Sequence, residues 1–127
     1  MAFAVDQIDH VEVFVRDIDA AVRWYAHVLG LRELHRWDPE PIMIGAGETK
    51  LALFRADSDA PSNPDRKDRS PRWRRVAWRT TAAGFIAAQQ HLRERGVTFS
   101  GPIDHDVAES IYFRDPDDNA LEITRYR

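Results

Sequence analysis

The chain has 127 residues and no cysteine, a length that suits one domain with a real core and a composition that excludes disulfides, zinc–thiolate sites and cysteine nucleophiles. Hydrophobic residues make up 43% and charged residues 31%, with a net charge of −3, which is a globular balance without bulk attraction to nucleic acid. No apolar run approaches the ~20 residues of a membrane helix, and the start, MAFAVDQIDH, lacks the pattern of a signal peptide, so a cytoplasmic protein with no membrane partner is expected.

Residues 7–16 alternate, with Val11, Val13 and Val15 on one side and His10, Glu12 and Phe14 on the other, which predicts a strand. Asp17 offers a helix N-cap. The apolar residues Ile18, Ala21, Val22, Tyr25, Val28 and Leu29 then recur at helical spacing, with Gly30 as the stop. Three short strands follow at 31–37, 41–46 and 49–55. Residues 56–71 are polar and carry three prolines, which reads as a linker. The second half repeats the order: a strand at 73–80, a helix capped by Thr80 or Thr81 and ending at Gly96, then strands at 97–100, 110–114 and 121–126. Asp115-Pro116-Asp117-Asp118-Asn119 reads as a hairpin turn, because a calcium loop would need a distal bidentate glutamate.

The expected fold is therefore α+β: two βαβββ modules whose mixed sheets curl around a cleft, with the helices outside. Residues 1–127 would form a single domain, with module one at 1–55, the linker at 56–71 and module two at 72–127.

If the valines of the first strand and Leu121 and Ile123 of the last face the helices, His10, Glu12, Glu122 and Thr124 face the other way. An imidazole and a carboxylate on such a face suit a divalent metal or a proton-transfer pair, although a strand histidine is more often structural. Matching the modules places Arg75 opposite His10. Arginine has no lone pair to give a metal. It can pair with Glu122, clamp an anionic group on a ligand, or reach out to solvent. The basic run from Arg66 to Arg75 is read as a solvated loop entering a strand. Phe14, Tyr112, Trp37, Trp73 and Met43 are candidate apolar wall, with core packing as the plainer alternative for each. His27 and His91 fall on helix surfaces, and His35 is ambiguous.

The segments DHVEVFVRDIDAAVRWYAHVLGL (9–31) and HDVAESIYFRDPDDNALEIT (105–124) resemble the two ends of the vicinal oxygen chelate superfamily, which comprises glyoxalase, bleomycin-resistance and extradiol-dioxygenase proteins. The likeness covers nearly the whole chain and says little about which activity is present. It implies metal ligands at His10 and Glu122, with Arg75 standing where a second histidine is usual and Leu53 where some members carry a further ligand. It also implies that His105 lies near the cleft, unless it is an exposed loop residue.

Three functions stay open: binding of a small organic molecule without a complete metal site, a divalent-metal-dependent lyase or extradiol-type dioxygenase, and a structural partner domain. Under these readings the catalytic candidates are Glu122, His105 and Tyr112, and the ligand-binding candidates are Arg75, Phe14, Glu12 and Trp37. The metal candidates are His10 and Glu122, holding Fe, Mn, Ni or Zn weakly if at all. The resemblance further implies a homodimer.

Overall fold

Alternation in Val11-Glu12-Val13-Phe14-Val15 produces β1 (Val11–Val15) in the computed structural model, which describes residues 3–57 and 69–127. The Asp17 carboxylate caps α1 (Ile18–Leu29) by accepting the Ala20 N–H at 2.9 Å. The helix ends at Gly30, whose φ of 69° lies in the left-handed region that favours glycine. Strands β2 (Arg32–Arg36), β3 (Ile42–Ala46) and β4 (Thr49–Arg55) complete a sheet of order β1-β4-β3-β2. β1 runs parallel to β4, and the other pairings are antiparallel. Ile42, Ile44, Leu51 and Leu53 are buried on the face toward α1, which contributes Ala21, Tyr25 and Val28. Gly45 is required by close approach, because a Cβ there would stand 2.3 Å from the Thr49 carbonyl oxygen.

The second half builds the same object. β5 (Val76–Arg79) leads to α2 (Ala82–Glu94), capped by the Thr81 hydroxyl, which accepts the Gly84 N–H at 3.0 Å. β6 (Ser100–Asp104), β7 (Ala108–Arg114) and β8 (Ala120–Tyr126) follow, in a sheet of order β5-β8-β7-β6. β5 is parallel to β8, as β1 is to β4. Phe85 and Leu92 of α2 and Ile111, Phe113, Leu121 and Ile123 of the sheet form its buried layer. The expected α+β class with two βαβββ modules is therefore observed. The chain divides into two units, Met1–Ala60 and Pro61–Arg127. Most of the expected linker, together with Arg66, Lys67 and Asp68 of the basic run, lies outside the described residues. No helix among the described residues is long and apolar enough to cross a membrane.

Three strand starts fall three or more residues later than expected. β1 begins at Val11 rather than at residue 7, where the ladder to β4 starts with Val11 against Leu51. β5 begins at Val76, where the parallel ladder to β8 starts, and Trp73, expected in the strand and in an apolar wall, is 97% exposed. β6 begins at Ser100 rather than Val97, because the Val97 N–H closes the end of α2 on the Leu92 carbonyl at 2.9 Å.

The 115–119 segment is a hairpin turn built on one buried carboxylate. Asp115 accepts the N–H groups of Asp117 and Asn119 at 2.8 and 2.9 Å, and the Asn119 side-chain amide at 2.9 Å. Replacing Asp115 with alanine leaves those donors unsatisfied. Asp115→Ala is expected to lower unfolding stability by about 2–3 kcal/mol in urea denaturation, with Asp115→Asn losing less. Equal midpoints for Asp115→Ala and the wild type would show that the turn does not depend on this carboxylate.

Candidate functional site

In the second unit, register decides which side chains share a face. Leu121 and Ile123 are buried on the α2 side, so Glu122 and Thr124 stand on the opposite, open face. Ala77 pairs with Glu122 across β5 and β8, and Tyr112 pairs with Glu122 across β7 and β8. Arg75, two residues before Ala77 and just ahead of β5, falls on that same face.

Four residues singled out in the sequence come together there. The Arg75 guanidinium lies 4.0 Å from a Glu122 carboxylate oxygen, and both side chains are largely buried. Its central carbon sits 4.5 Å from the centre of the Tyr112 ring, a cation–π arrangement. The Tyr112 hydroxyl and His105 Nε2 are 2.6 Å apart, within short hydrogen-bond distance, with the donor set by the imidazole tautomer. Guanidinium, carboxylate, phenol and imidazole thus form one connected series. Of the alternatives for Arg75, the structure places it against Glu122 rather than out in solvent. His105 is exposed and also touches this series, so it is both a loop residue and a neighbour of Tyr112.

A second ion pair in the same unit shows what a structural salt bridge looks like here. Arg125 donates to Glu109 from Nε at 2.7 Å, with Nη2 also 2.7 Å from the same oxygen, at similar exposure. The Arg75–Glu122 pair is looser by more than an ångström.

The first unit holds different groups at the matching positions. His10 immediately precedes β1, as Arg75 precedes β5. Its ring nitrogens are both engaged, Nδ1 with Asp9 at 2.8 Å and Nε2 with Glu12 at 3.1 Å. Hydrogen bonds to Asp9 first, and then to Glu12, raise the imidazole pKa above its ordinary 6.5. Asp9 in turn is held below the usual carboxylate value by its hydrogen bonds to His10 and Lys50. Glu12 therefore serves His10. Phe14 stands on the open face of this sheet and is 68% exposed. Trp37 meets His35 edge-on, with ring centres 4.3 Å apart. Leu53, matched above to a family ligand position, is fully buried on the α1 side, and the open-face neighbours are Ala52 and Phe54. Among the described residues, no three histidine, aspartate or glutamate side chains are grouped as a metal would need. His27 is exposed as expected, and His91 is half-buried rather than solvated.

Sequence reasoning missed three participants. Ser110 and Thr124 share a hydrogen bond at 2.9 Å beside the series on the open face. Arg79, one full strand repeat beyond Ala77, lies 5.5 Å from the Tyr126 ring centre. Arg127 holds the turn that carries His105. Parity would have found Ser110 and Arg79, whereas nothing local announces Arg127.

Residues 7–123 match the family described as the Glyoxalase/Bleomycin resistance protein/Dioxygenase superfamily. The chain is 27% identical over 127 residues to virulence protein STM3117 of Salmonella typhimurium, covering 96% of this chain and 85% of that protein. The crystal structure of that protein superposes with a TM-score of 0.75, at 25% identity and with 98% and 100% of the two chains covered. Over 123 residues the chain is 26% identical to biphenyl-2,3-diol 1,2-dioxygenase 3 of Rhodococcus globerulus, covering 92% of this chain but only 62% of the dioxygenase. TnmS3, an antibiotic-binding protein from Streptomyces sp. CB03234, shares the fold with a TM-score of 0.77 at 23% identity, covering 98% and 99% of the two chains. A match over so much of the sequence, on a chain that repeats one βαβββ unit, establishes that this protein belongs to the glyoxalase/bleomycin resistance protein/dioxygenase superfamily.

Proposed function

We propose that this protein binds a small organic anion, without a metal, on the open sheet face of its second unit. The observation that carries the reading is the placement of Arg75 over Tyr112 and beside Glu122. Arginine's planar guanidinium matches the geometry of a carboxylate or phenolate, and here it stands on the open face over an aromatic ring, 4.0 Å from Glu122. Tyr112 and His105 supply a second polar contact on the same face. The apolar part of a ligand would lie against the aromatic ring, as is usual for sites that combine a few polar groups with apolar walls. The antibiotic-binding relative supports a binding role by fold alone.

The chemistry of the donors weighs against a metal. Glu122 already neutralises a fixed cation, which would repel a divalent ion. His10 has both ring nitrogens engaged, with Asp9 and with Glu12, so a metal would have to displace one of these contacts. The second reading, a divalent-metal-dependent lyase or extradiol-type dioxygenase, is supported by the dioxygenase relative. A homodimer and a cytoplasmic location remain part of the proposal, resting on family likeness.

Two measurements test this. Isothermal calorimetry with benzoate, salicylate and catechol should show binding of the aryl carboxylates. Arg75→Gln should weaken that binding by about 10- to 100-fold, the loss of a charge-assisted pair worth ~1.5–3 kcal/mol. Full-strength binding by Arg75→Gln, or stoichiometric iron, manganese, nickel or zinc in protein purified without chelators, would sink the proposal.

The state of His10 is measurable by NMR titration. Its pKa should lie above 6.5 in the wild type and fall back toward that value in Asp9→Asn and further in Asp9→Asn/Glu12→Gln. Because the folded pKa is raised, the pair's contribution to stability is complete below about pH 6.5 and fades as pH rises through the folded value. A wild-type value at or below 6.5 would contradict the pairing.

A further inference from the structure

Between β6 and β7 the chain makes a tight turn through His105, Asp106 and Val107. Asp106 adopts a φ of 68°, rare for a residue with a side chain, and the Val107 N–H folds back onto the His105 carbonyl at 2.9 Å. The His105 N–H closes the turn on the Ala108 carbonyl at 2.8 Å, and Arg127 braces it from outside. One guanidinium nitrogen of Arg127, Nη1, lies 2.9 Å from Asp104 Oδ1, 2.7 Å from the Asp106 carbonyl and 3.0 Å from the Ala108 carbonyl. The Arg127 backbone N–H donates to the Val107 carbonyl at 2.9 Å. Asp104 also accepts the Asp106 N–H at 2.8 Å, so one carboxylate ties the arginine to the turn. The other guanidinium nitrogen lies 3.6 Å from Glu109.

We propose that Arg127 is a positioning residue that holds the 104–108 turn so that His105 meets the Tyr112 hydroxyl. The inference rests on the ligand-binding reading for its functional consequence and on the turn's geometry for its mechanism. His105 is exposed, and its one side-chain hydrogen bond given by the structure is the 2.6 Å contact with Tyr112. Ordering the backbone of each residue costs about 1–2 kcal/mol and one hydrogen bond returns about 1, so the bonds from Arg127 add to the turn's own His105–Ala108 and Val107–His105 bonds in keeping it ordered. The fork on Arg127 connects residues 104, 106 and 108, which bracket His105 on both sides. Asp104 contributes as an anion, since the Asp106 N–H first, and then the Arg127 charge, keep its carboxyl below the ordinary carboxylate value. The imidazole is thus presented at the end of the Arg75–Tyr112 series, where it fixes the direction of the phenol O–H toward or away from a bound anion.

The test separates this inference from the binding reading by beginning with ligand-free protein. The nitrogen NMR shifts of the His105 imidazole are compared in wild type, Arg127→Met, Arg127→Lys and Tyr112→Phe. Arg127→Met should move His105 to the shifts seen in Tyr112→Phe, with faster amide exchange at Val107, while Arg127→Lys recovers the wild-type shifts in part. Unchanged His105 shifts in a folded Arg127→Met protein would overturn the proposal. If Arg127→Met does not fold, Asp104→Asn, which removes the charge that ties the arginine to the turn, should produce the same movement, and its failure to do so overturns the proposal equally. Salicylate is then titrated into each protein. Arg127→Met should weaken binding about fivefold, with no further loss in Arg127→Met/Tyr112→Phe beyond Tyr112→Phe alone. Additive losses would mean that Arg127 does not act through Tyr112, and absence of salicylate binding to the wild type would defeat the binding reading while the ligand-free comparison still decides the role of Arg127.

Discussion

The parallel pairing of β5 with β8 governs what the second unit can do, because it fixes which alternate residues share the open face. Leu121 and Ile123 are buried beneath α2 together with Ile111 and Phe113 of β7. Burying each such side chain contributes roughly 1.5–3 kcal/mol, so the four together far outweigh the single 4.0 Å ion pair on the other face. The hydrocarbon layer therefore selects the register. A slip of one residue would carry Glu122 under the helix and Leu121 into the open. The meeting of Arg75, Glu122 and Tyr112 is a consequence of this selection rather than its cause. Substitutions among them can thus change the open face while leaving the sheet in place.

That dependence explains what could be read before any coordinates. Period-two alternation in 11–15 and 121–126 revealed both the strands and the faces of His10, Glu12, Phe14, Glu122 and Thr124, because alternation reports the same burial that sets the register. Helix caps at Asp17 and Thr81 and the stops at Gly30 and Gly96 were equally legible, since capping is local chemistry. Strand starts were less so. Whether residues 73–75 or 97–99 join a ladder depends on a partner strand far away in the sequence, and a propensity cannot see that partner. Trp73 is the clearest example: an aromatic residue beside a strand that ends up almost wholly in the open. Arg127 was invisible for the same reason, its acceptors being three carbonyl or carboxylate oxygens some twenty residues upstream.

The two units show how one backbone plan carries two chemistries. Reading across each open face in register gives Glu12, Ala52, Met43 and His35 in the first unit, and Ala77, Glu122, Tyr112 and Ser100 in the second. The acidic residue sits on the first strand in one row and on the fourth in the other. The residue ahead of the row is imidazole in one and guanidinium in the other. In the first unit the carboxylate is two positions from His10 on its own strand and bonds its ring directly. In the second, the carboxylate comes from the neighbouring strand and stands farther from the cation it faces.

The Arg125–Glu109 pair shows by contrast how far apart Arg75 and Glu122 stand. A pair at 2.7 Å satisfies its charges and leaves little to gain from a third group. At 4.0 Å, with comparable exposure, Glu122 acts on Arg75 through its field rather than through a short hydrogen bond. Under the proposed reading, a ligand oxygen would compete with a pair longer than the Arg125–Glu109 bridge. The aromatic face of Tyr112 keeps the guanidinium plane from turning away in the meantime. Guanidinium, phenol and imidazole converge on this one face, so under the proposed reading a single anionic group would meet all three there.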